Sequence, residues 1–273
     1  MLLLAVDTAT PAVTAALHDG RSVVAETTQV DARRHGELLL PLIDATLREA
    51  GLKLDAVTGI VVGVGPGPYT GLRVGLATAE TFGFALGVPV HGLCTLDALA
   101  YAAGVEAGVE GPFAVATDAR RKEVYWARYD DARTRTTEPA VDRPADIAER
   151  LAGLPVVGAG ALLYPEAFPD ARGPEHVSAA ALASLAAERL AAGAQAVGKT
   201  PVGETAAGTA AAGERGDGEP TAEEQSGGEP TPEGRTEAGG KPTTGYGFLP
   251  PLPLYLRRPD AQVPKNYKVV TPK

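Results

Sequence analysis

The chain of 273 residues carries 25 Lys and Arg against 34 Asp and Glu, a formal charge of −9, which counts against a protein that grips nucleic acid through a basic surface of its own. Hydrophobic residues at 44% suffice for a globular core, the length suits two lobes, and a single cysteine, Cys94, excludes an intrachain disulfide or a Cys-rich zinc site. The opening apolar residues reach Asp7 too early, and without a basic flank, for a secretory signal, and no run approaches the ~18 apolar residues of a membrane span, so a cytoplasmic protein without membrane contact is expected.

Residues 2–6 form a continuous apolar run, the pattern of a strand covered on both faces. Val13, Ala15 and Leu17 alternate with Thr14, Ala16 and His18, which predicts a half-buried strand. Asp19-Gly20 predicts a two-residue hairpin turn into a third strand over 22–28. A helix follows over 35–50, with Leu39, Leu42, Ile43 and Leu47 at helical spacing, and Pro41 fits it only in the first turn. A strand over 57–64, a helix over 70–86, a strand over 88–93 and a helix over 95–103 complete an expected first lobe, 1–105.

A smaller second lobe is expected over 106–197, with hairpin strands at 113–117 and 123–129, helices at 144–151 and 177–190, and a strand at 154–158. Three meandering strands followed by β-α-β-α form the half-domain of the actin, hexokinase and Hsp70-like ATPases (the ASKHA superfold). The predicted fold class is therefore α/β, two-lobed and actin/Hsp70-like, with a reduced second lobe. Element order alone does not establish an activity.

Residues 198–245 contain 12 Gly, 5 Pro and nine acidic against four basic residues, and Val202 is their one large aliphatic side chain. Such a composition cannot bury enough apolar surface to offset its ordering entropy, so a disordered acidic insert reaching to about residue 247 is predicted. The apolar opening of 248–273, Phe248-Leu249-Pro250, predicts a return to the fold before a tail.

Asp7-Thr8-Ala9-Thr10 follows the first strand, where kinases of this superfold carry an aspartate and a glycine-rich phosphate turn. Ala9 stands where close backbone approach wants glycine, so Asp7, Thr8 and Thr10 read either as a vestigial nucleotide turn or as a capped turn. The loop Gly63-Val64-Gly65-Pro66-Gly67-Pro68-Tyr69-Thr70-Gly71-Leu72-Arg73 lacks the Gly-Lys-Ser/Thr end of a phosphate loop, and its prolines remove N–H donors. It reads as a rigid turn entering a helix that Thr70 can cap. Arg73 falls in the first helical turn, where the macrodipole disfavours a cation; it reads as a contact to an acidic partner or anion, or as a solvated arginine.

Gly71, Gly75, Ala79 and Gly83 recur every four residues, a ridge of small side chains that lets another element approach closely. Together with the Leu-rich helix before it, apolar on more than one side, this ridge predicts a partner interface through Leu39, Leu42, Ile43, Gly71, Gly75, Ala79 and Gly83; packing inside the chain is the alternative. No His-x-x-x-His pair and no Gly-x-Ser-x-Gly elbow occurs, so neither metal nor cofactor nor catalytic residue is expected. His35 reads as capping or lining a helix start.

Leu4-Ala5-Val6-Asp7-Thr8-Ala9-Thr10, Arg34-His35, the loop residues Gly65, Pro66, Gly67, Thr70, Gly71 and Arg73, and Asp118-Ala119-Arg120 followed by Glu123-Val124-Tyr125-Trp126 resemble the TsaB (YeaZ) family. Pro68-Tyr69 replaces the family's usual Ser-Phe. The resemblance covers about 1–195 and Leu254-Tyr255-Leu256-Arg257. It implies a non-catalytic subunit in threonylcarbamoyl modification of tRNA adenosine (t6A synthesis), paired with the catalytic paralogue TsaD and joined by the ATPase TsaE. It implies contact with tRNA only through that complex, and homodimerisation when TsaD is absent.

In the TsaD-like enzymes a metal-binding His-x-x-x-His falls where Thr95 and Leu99 stand here, and neither side chain replaces imidazole on a metal. A TsaD-like metal-dependent enzyme (once called a glycoprotease) and a small-molecule kinase of the superfold are the rival readings. For a kinase, Gly158-Ala159-Gly160 is the one candidate for a second nucleotide loop. Arg120, oriented by Asp118, is expected to cross the interface to an acidic group near TsaD's nucleotide site.

Overall fold

The computed structural model describes residues 1–198 and 247–256. The predicted disordered insert and the end of the chain therefore lie outside the described residues. Strands β1 (Leu3–Asp7), β2 (Ala12–His18) and β3 (Val23–Val30) meander, helix α1 (His35–Glu49) crosses to β4 (Gly59–Gly63), and α2 (Tyr69–Leu86) crosses to β5 (Val90–Leu93). The sheet order is β3-β2-β1-β4-β5, antiparallel in the meander and parallel from β1 through β4 to β5.

Helices cover both faces of this sheet. Leu39, Leu42, Ile43 and Leu47 of α1 and Leu72, Leu76 and Ala79 of α2 pack on Leu4, Val6, Val13, Leu17, Ile60 and Val62. The opposite face, with Leu3, Ala5, Ala12, Ala16 and Val61, meets α3 (Thr95–Tyr101) and α6 (Ala179–Gly198). This second cover explains why β2 is buried along its whole length instead of half-buried: Ala12 and Ala16 sit under the alanine-rich α6. It also places α6, expected in the second lobe, against the first.

The hairpin after β2 is a four-residue loop, Asp19–Ser22, in place of the predicted two-residue turn. Asp19 Oδ1 accepts hydrogen bonds from Arg21 N and Ser22 N, so the aspartate organises the loop through its side chain and only Gly20 takes positive φ. Pro41 is the seventh residue of α1 and so lies beyond the first turn. It points to solvent, as does Glu37, where water can take the carbonyl left without its helical donor.

The second lobe is a smaller five-stranded sheet of order β10-β9-β6-β7-β8, built from β6 (Phe113–Asp118), β7 (Val124–Tyr129), β8 (Ala140–Asp142), β9 (Val156–Val157) and β10 (Ala171–Arg172), with the short helices α4 (Pro144–Ile147) and α5 (Ala159–Leu163). One face of β7 places Val124 and Trp126 in this lobe's own core, and the other turns Ala127 and Tyr129 toward the first lobe. The two lobes have the expected actin/Hsp70-like α/β architecture, reduced in the second.

A polar network fastens them. Asp97 of α3 accepts hydrogen bonds from the Tyr129 hydroxyl at 3.0 Å and Arg135 Nη1 at 2.7 Å, and lies 3.4 Å from Arg189 Nη2 of α6. The segment returning at Gly247 is tied into the first lobe: Leu249 and Gly92 exchange backbone hydrogen bonds across the edge of β5, and Leu254 N donates to Val64 O.

Candidate functional site

The carboxyl end of β1 delivers Asp7 into a fully buried position at the centre of the first lobe. Its Oδ1 accepts from Ala9 N at 2.7 Å and its Oδ2 from the Thr95 hydroxyl at 2.7 Å. Burial pushes its carboxyl up to about 6, against the opposing pull of both hydrogen bonds and the His35 ring. Thr95 Oγ1 also accepts from Gly65 N, and Thr95 N donates to Gly65 O, so one threonine ties the aspartate to the glycine-proline loop. Leu99, one helical turn on, is completely buried.

The loop itself lies on the turn after β1. A side chain at Gly67 would collide with the Ala9 backbone, which leaves this turn covered by protein where kinases of the superfold hold phosphate. Thr8 and Thr10 are buried. The Thr8 hydroxyl donates to Gly71 O at 2.8 Å and accepts from Gly75 N at 3.0 Å. Asp7, Thr8 and Thr10 thus satisfy backbone groups, as in the capped-turn reading.

The glycine ridge faces inward. A Cβ on Gly75 would stand 2.6 Å from Thr8 Oγ1, one on Gly71 would meet the Thr8 carbonyl and one on Gly83 would meet Val90. Ala79, Leu39, Leu42 and Ile43 are buried in the first core. These seven residues therefore hold α1 and α2 against the chain's own sheet, which corrects their expected place on a partner interface. What remains outside on the same helices is Leu40, 52% exposed, and Phe84, 92% exposed.

Thr70 does not cap α2: the helix begins at Tyr69, its cap position is Pro68, and no side chain bonds the first turn. Arg73, expected in the first turn, is the fifth residue of the helix. It donates to the Tyr69 hydroxyl at 3.1 Å with its guanidinium over the Tyr69 ring. Gly158 and Gly160, the candidate second nucleotide loop, are spaces for close packing of α5 against Ala116 and Thr117 of β6.

A cleft of about 130 Å³ between the lobes gathers residues far apart in sequence: Thr8, Thr10, His35, Thr70, Asp118 and Arg120. His35 Nε2 lies 2.8 Å from Thr10 O. Arg120 reaches this cleft because the turn after β6 is left-handed at three successive residues, Arg120, Arg121 and Lys122, with φ of 62°, 56° and 63°. Asp118 accepts from Arg120 N at 2.7 Å and pairs with its guanidinium at 3.3 Å.

The convergence of His35 with Arg120 escaped the sequence reading, as did the Asp97 network. Pairing between lobes has no local periodicity; its one sequence signal was the Asp118-Ala119-Arg120 motif. Among the described residues no group of three His, Cys, Asp or Glu is placed to hold a metal, and burial pushes the Cys94 thiol up to about 12, far from a reactive thiolate.

Comparison with known proteins agrees with this geometry. A family model described as TsaD, tRNA N6-adenosine threonylcarbamoyltransferase, matches residues 22–220. The chain is 50% identical over 148 residues to an uncharacterized protein of Mycobacterium tuberculosis, covering 53% of this chain and 66% of that one. It is 36% identical over 129 residues to the tRNA threonylcarbamoyladenosine biosynthesis protein TsaB of Escherichia coli, covering 47% and 55%. The matched region thus spans just under two thirds of the first relative and about half of the second.

The solved structure of YeaZ from Pseudomonas aeruginosa superposes with a TM-score of 0.62 at 34% identity, over 71% of this chain and 94% of that one. Matched by the family model over most of its length and by a solved YeaZ over nearly all of that structure, this chain belongs to the TsaB (YeaZ) family within the wider TsaD family.

Proposed function

We propose that this chain acts in the synthesis of threonylcarbamoyladenosine on tRNA as a non-catalytic subunit that pairs with a TsaD-type catalytic paralogue, with a TsaE-type ATPase in the larger assembly and the cytoplasm as its site of action. The observation that carries this reading is the fate of the metal-ligand positions. Thr95 and Leu99 are both completely buried, Thr95 is committed to Asp7 and Gly65, and the turn after β1 is covered by its own loop. Such a centre transmits position between elements and offers no ligand set of its own.

The exposed sides of α1 and α2, around Leu40 and Phe84, are the place for the paralogue, and alone the same apolar face pairs with a second copy. Arg120 is the residue for coupling, since its half-exposed guanidinium is held by Asp118 at the mouth of the cleft. No described helix is long and apolar enough to cross a membrane.

The test is co-expression with the TsaD-type protein of the same organism. Stable co-purification, with tRNA modification by the pair and no ATP turnover by this chain alone, supports the reading. Metal-dependent turnover by the pure chain, lost in Asp7→Ala, overturns it in favour of a TsaD-like enzyme or a kinase.

A further inference from the structure

Tyr69, at the start of α2, and Tyr255, in the returning segment, stack on the surface with ring centroids 5.2 Å apart and an interplanar angle of 35°. Both rings remain open to solvent, 53% and 43% exposed. The Arg73 guanidinium covers the Tyr69 ring at 5.1 Å, and among the described residues no carboxylate forms an ion pair with it. The platform is held from below, because Leu254 is buried and its N–H is bonded to Val64 O. The first turn of α2 contains no acidic residue, so the positive end of its dipole is left without a counter-charge beside Arg73.

The sequence beyond the platform reverses the charge of the rest. Residues 257–273 hold Arg257, Arg258, Lys265, Lys268 and Lys273 against the single Asp260, with Tyr267 between two of the lysines, in a chain whose total is −9. The acidity of the whole therefore conceals a basic segment that begins two residues after a stacked tyrosine pair.

We infer that the Tyr69–Arg73–Tyr255 platform and the basic residues 257–273 form a binding surface for single-stranded RNA, so that this subunit holds an unpaired tRNA loop directly. The chemistry fits that class. An open aromatic face stacks any unpaired base, a guanidinium extends the same π surface, and dispersed lysines neutralise phosphates. A duplex hides its bases and cannot use the tyrosines. The inference rests on the proposed function for the identity of the RNA as tRNA, and on the residues alone for its single-stranded class.

The experiment is an anisotropy titration of the full-length chain with a labelled RNA stem-loop and with the same strand closed into a duplex, each over a range of salt. The stem-loop is expected to bind tighter than the duplex, with a log–log salt slope no steeper than about −4, about 0.7 for each of up to six cations. Tyr69→Ala and Tyr255→Ala should each weaken stem-loop binding by at least about fivefold. Removing 257–273 should flatten the salt slope. Melting temperatures serve as the folding control.

Equal affinity for duplex and loop, or tyrosine variants that bind RNA like the parent, would overturn the inference. So would tail-dependent binding to anionic phosphatidylserine vesicles without RNA binding. If Tyr69→Ala and Arg73→Ala lose the TsaD-type partner while RNA binding is unchanged, the platform is a protein interface and the inference fails while the proposed function stands. RNA binding by a chain that never pairs with the paralogue gives the converse.

Discussion

Thr95 donates a hydrogen bond to Asp7 Oδ2 at 2.7 Å across 88 positions of the chain. It joins the end of β1 to the start of α3, and through Gly65 it joins both to the glycine-proline loop. In the TsaD-like pattern this position belongs to a metal-binding histidine. Here a hydroxyl takes the place of the imidazole and solvates an aspartate that has no cation beside it.

That aspartate makes stability depend on pH in a defined direction. Its carboxyl is raised from an ordinary value near 3.8 to about 6, so the folded state holds the proton more tightly than the unfolded state. The resulting stabilisation is complete below about pH 4 and lost as pH rises through about 6, a change of at most about 3 kcal/mol. Asp7→Asn cannot titrate. Denaturant unfolding of parent and variant from about pH 4 to 7.5 should show the parent losing stability relative to Asp7→Asn as pH rises. Parallel curves would show that Asp7 titrates normally.

The glycine ridge yields a prediction of opposite sense to the one its sequence suggests. A side chain at Gly75 enters the space of the Thr8 hydroxyl, which bonds both Gly71 and Gly75. Gly75→Leu should therefore cost more than about 3 kcal/mol through overpacking and loss of those bonds, and yield unfolded protein. Phe84→Ala, at a side chain 92% exposed, should leave the melting temperature unchanged and weaken co-purification with the TsaD-type paralogue. A folded Gly75→Leu that has lost only its partner would place the ridge outside.

Arg120 is separable from its neighbours by function. The left-handed turn directs it to the cleft beside His35, and Asp118 fixes its guanidinium. Arg120→Ala should lower tRNA modification by the assembled pair by roughly tenfold or more, the scale of a charge-assisted contact, with assembly nearly intact. Arg121→Ala is the comparison and should stay near the parent. Equal small effects would reduce Arg120 to a surface charge.

The strands and helices of the first lobe were legible because their signals are local. Buried runs such as Leu3–Asp7 and the Leu39, Leu42, Ile43, Leu47 spacing mark themselves. The side on which a small residue packs is not local. The same four-residue ridge serves a partner helix or the chain's own β1 turn, and only Thr8, more than sixty positions earlier, decides between them. The second cover on β2 was hidden for the same reason, since α6 lies over 150 residues away, where Ala179 N donates to Thr14 Oγ1. Of the site, Asp7, the loop and Arg120 were visible as motifs. Their meeting with Thr95 and His35 depended on tertiary closure.

The returning segment offers the sharpest test of how the chain is organised beyond α6. Phe248 is 1% exposed, sits in the core beneath the first sheet and stacks with His91 at a centroid distance of 4.6 Å. Leu249 exchanges two backbone bonds with Gly92, and Gly247 O accepts from Arg189 Nη1. Residues 247–256 therefore make their own contacts with the first lobe, and the composition of 199–246 supplies almost no apolar surface to add to them. Replacing 199–246 by a short Gly/Ser linker that still spans the ends should leave the melting temperature nearly unchanged, since shortening a flexible loop alters closure entropy by less than about 1 kcal/mol. Phe248→Ala should instead cost about 3–5 kcal/mol and lower the melting temperature by roughly 6–20 °C. Calorimetry on the two variants distinguishes them. A linker variant that melts as low as Phe248→Ala would mean that 199–246 contributes packing that its composition does not reveal.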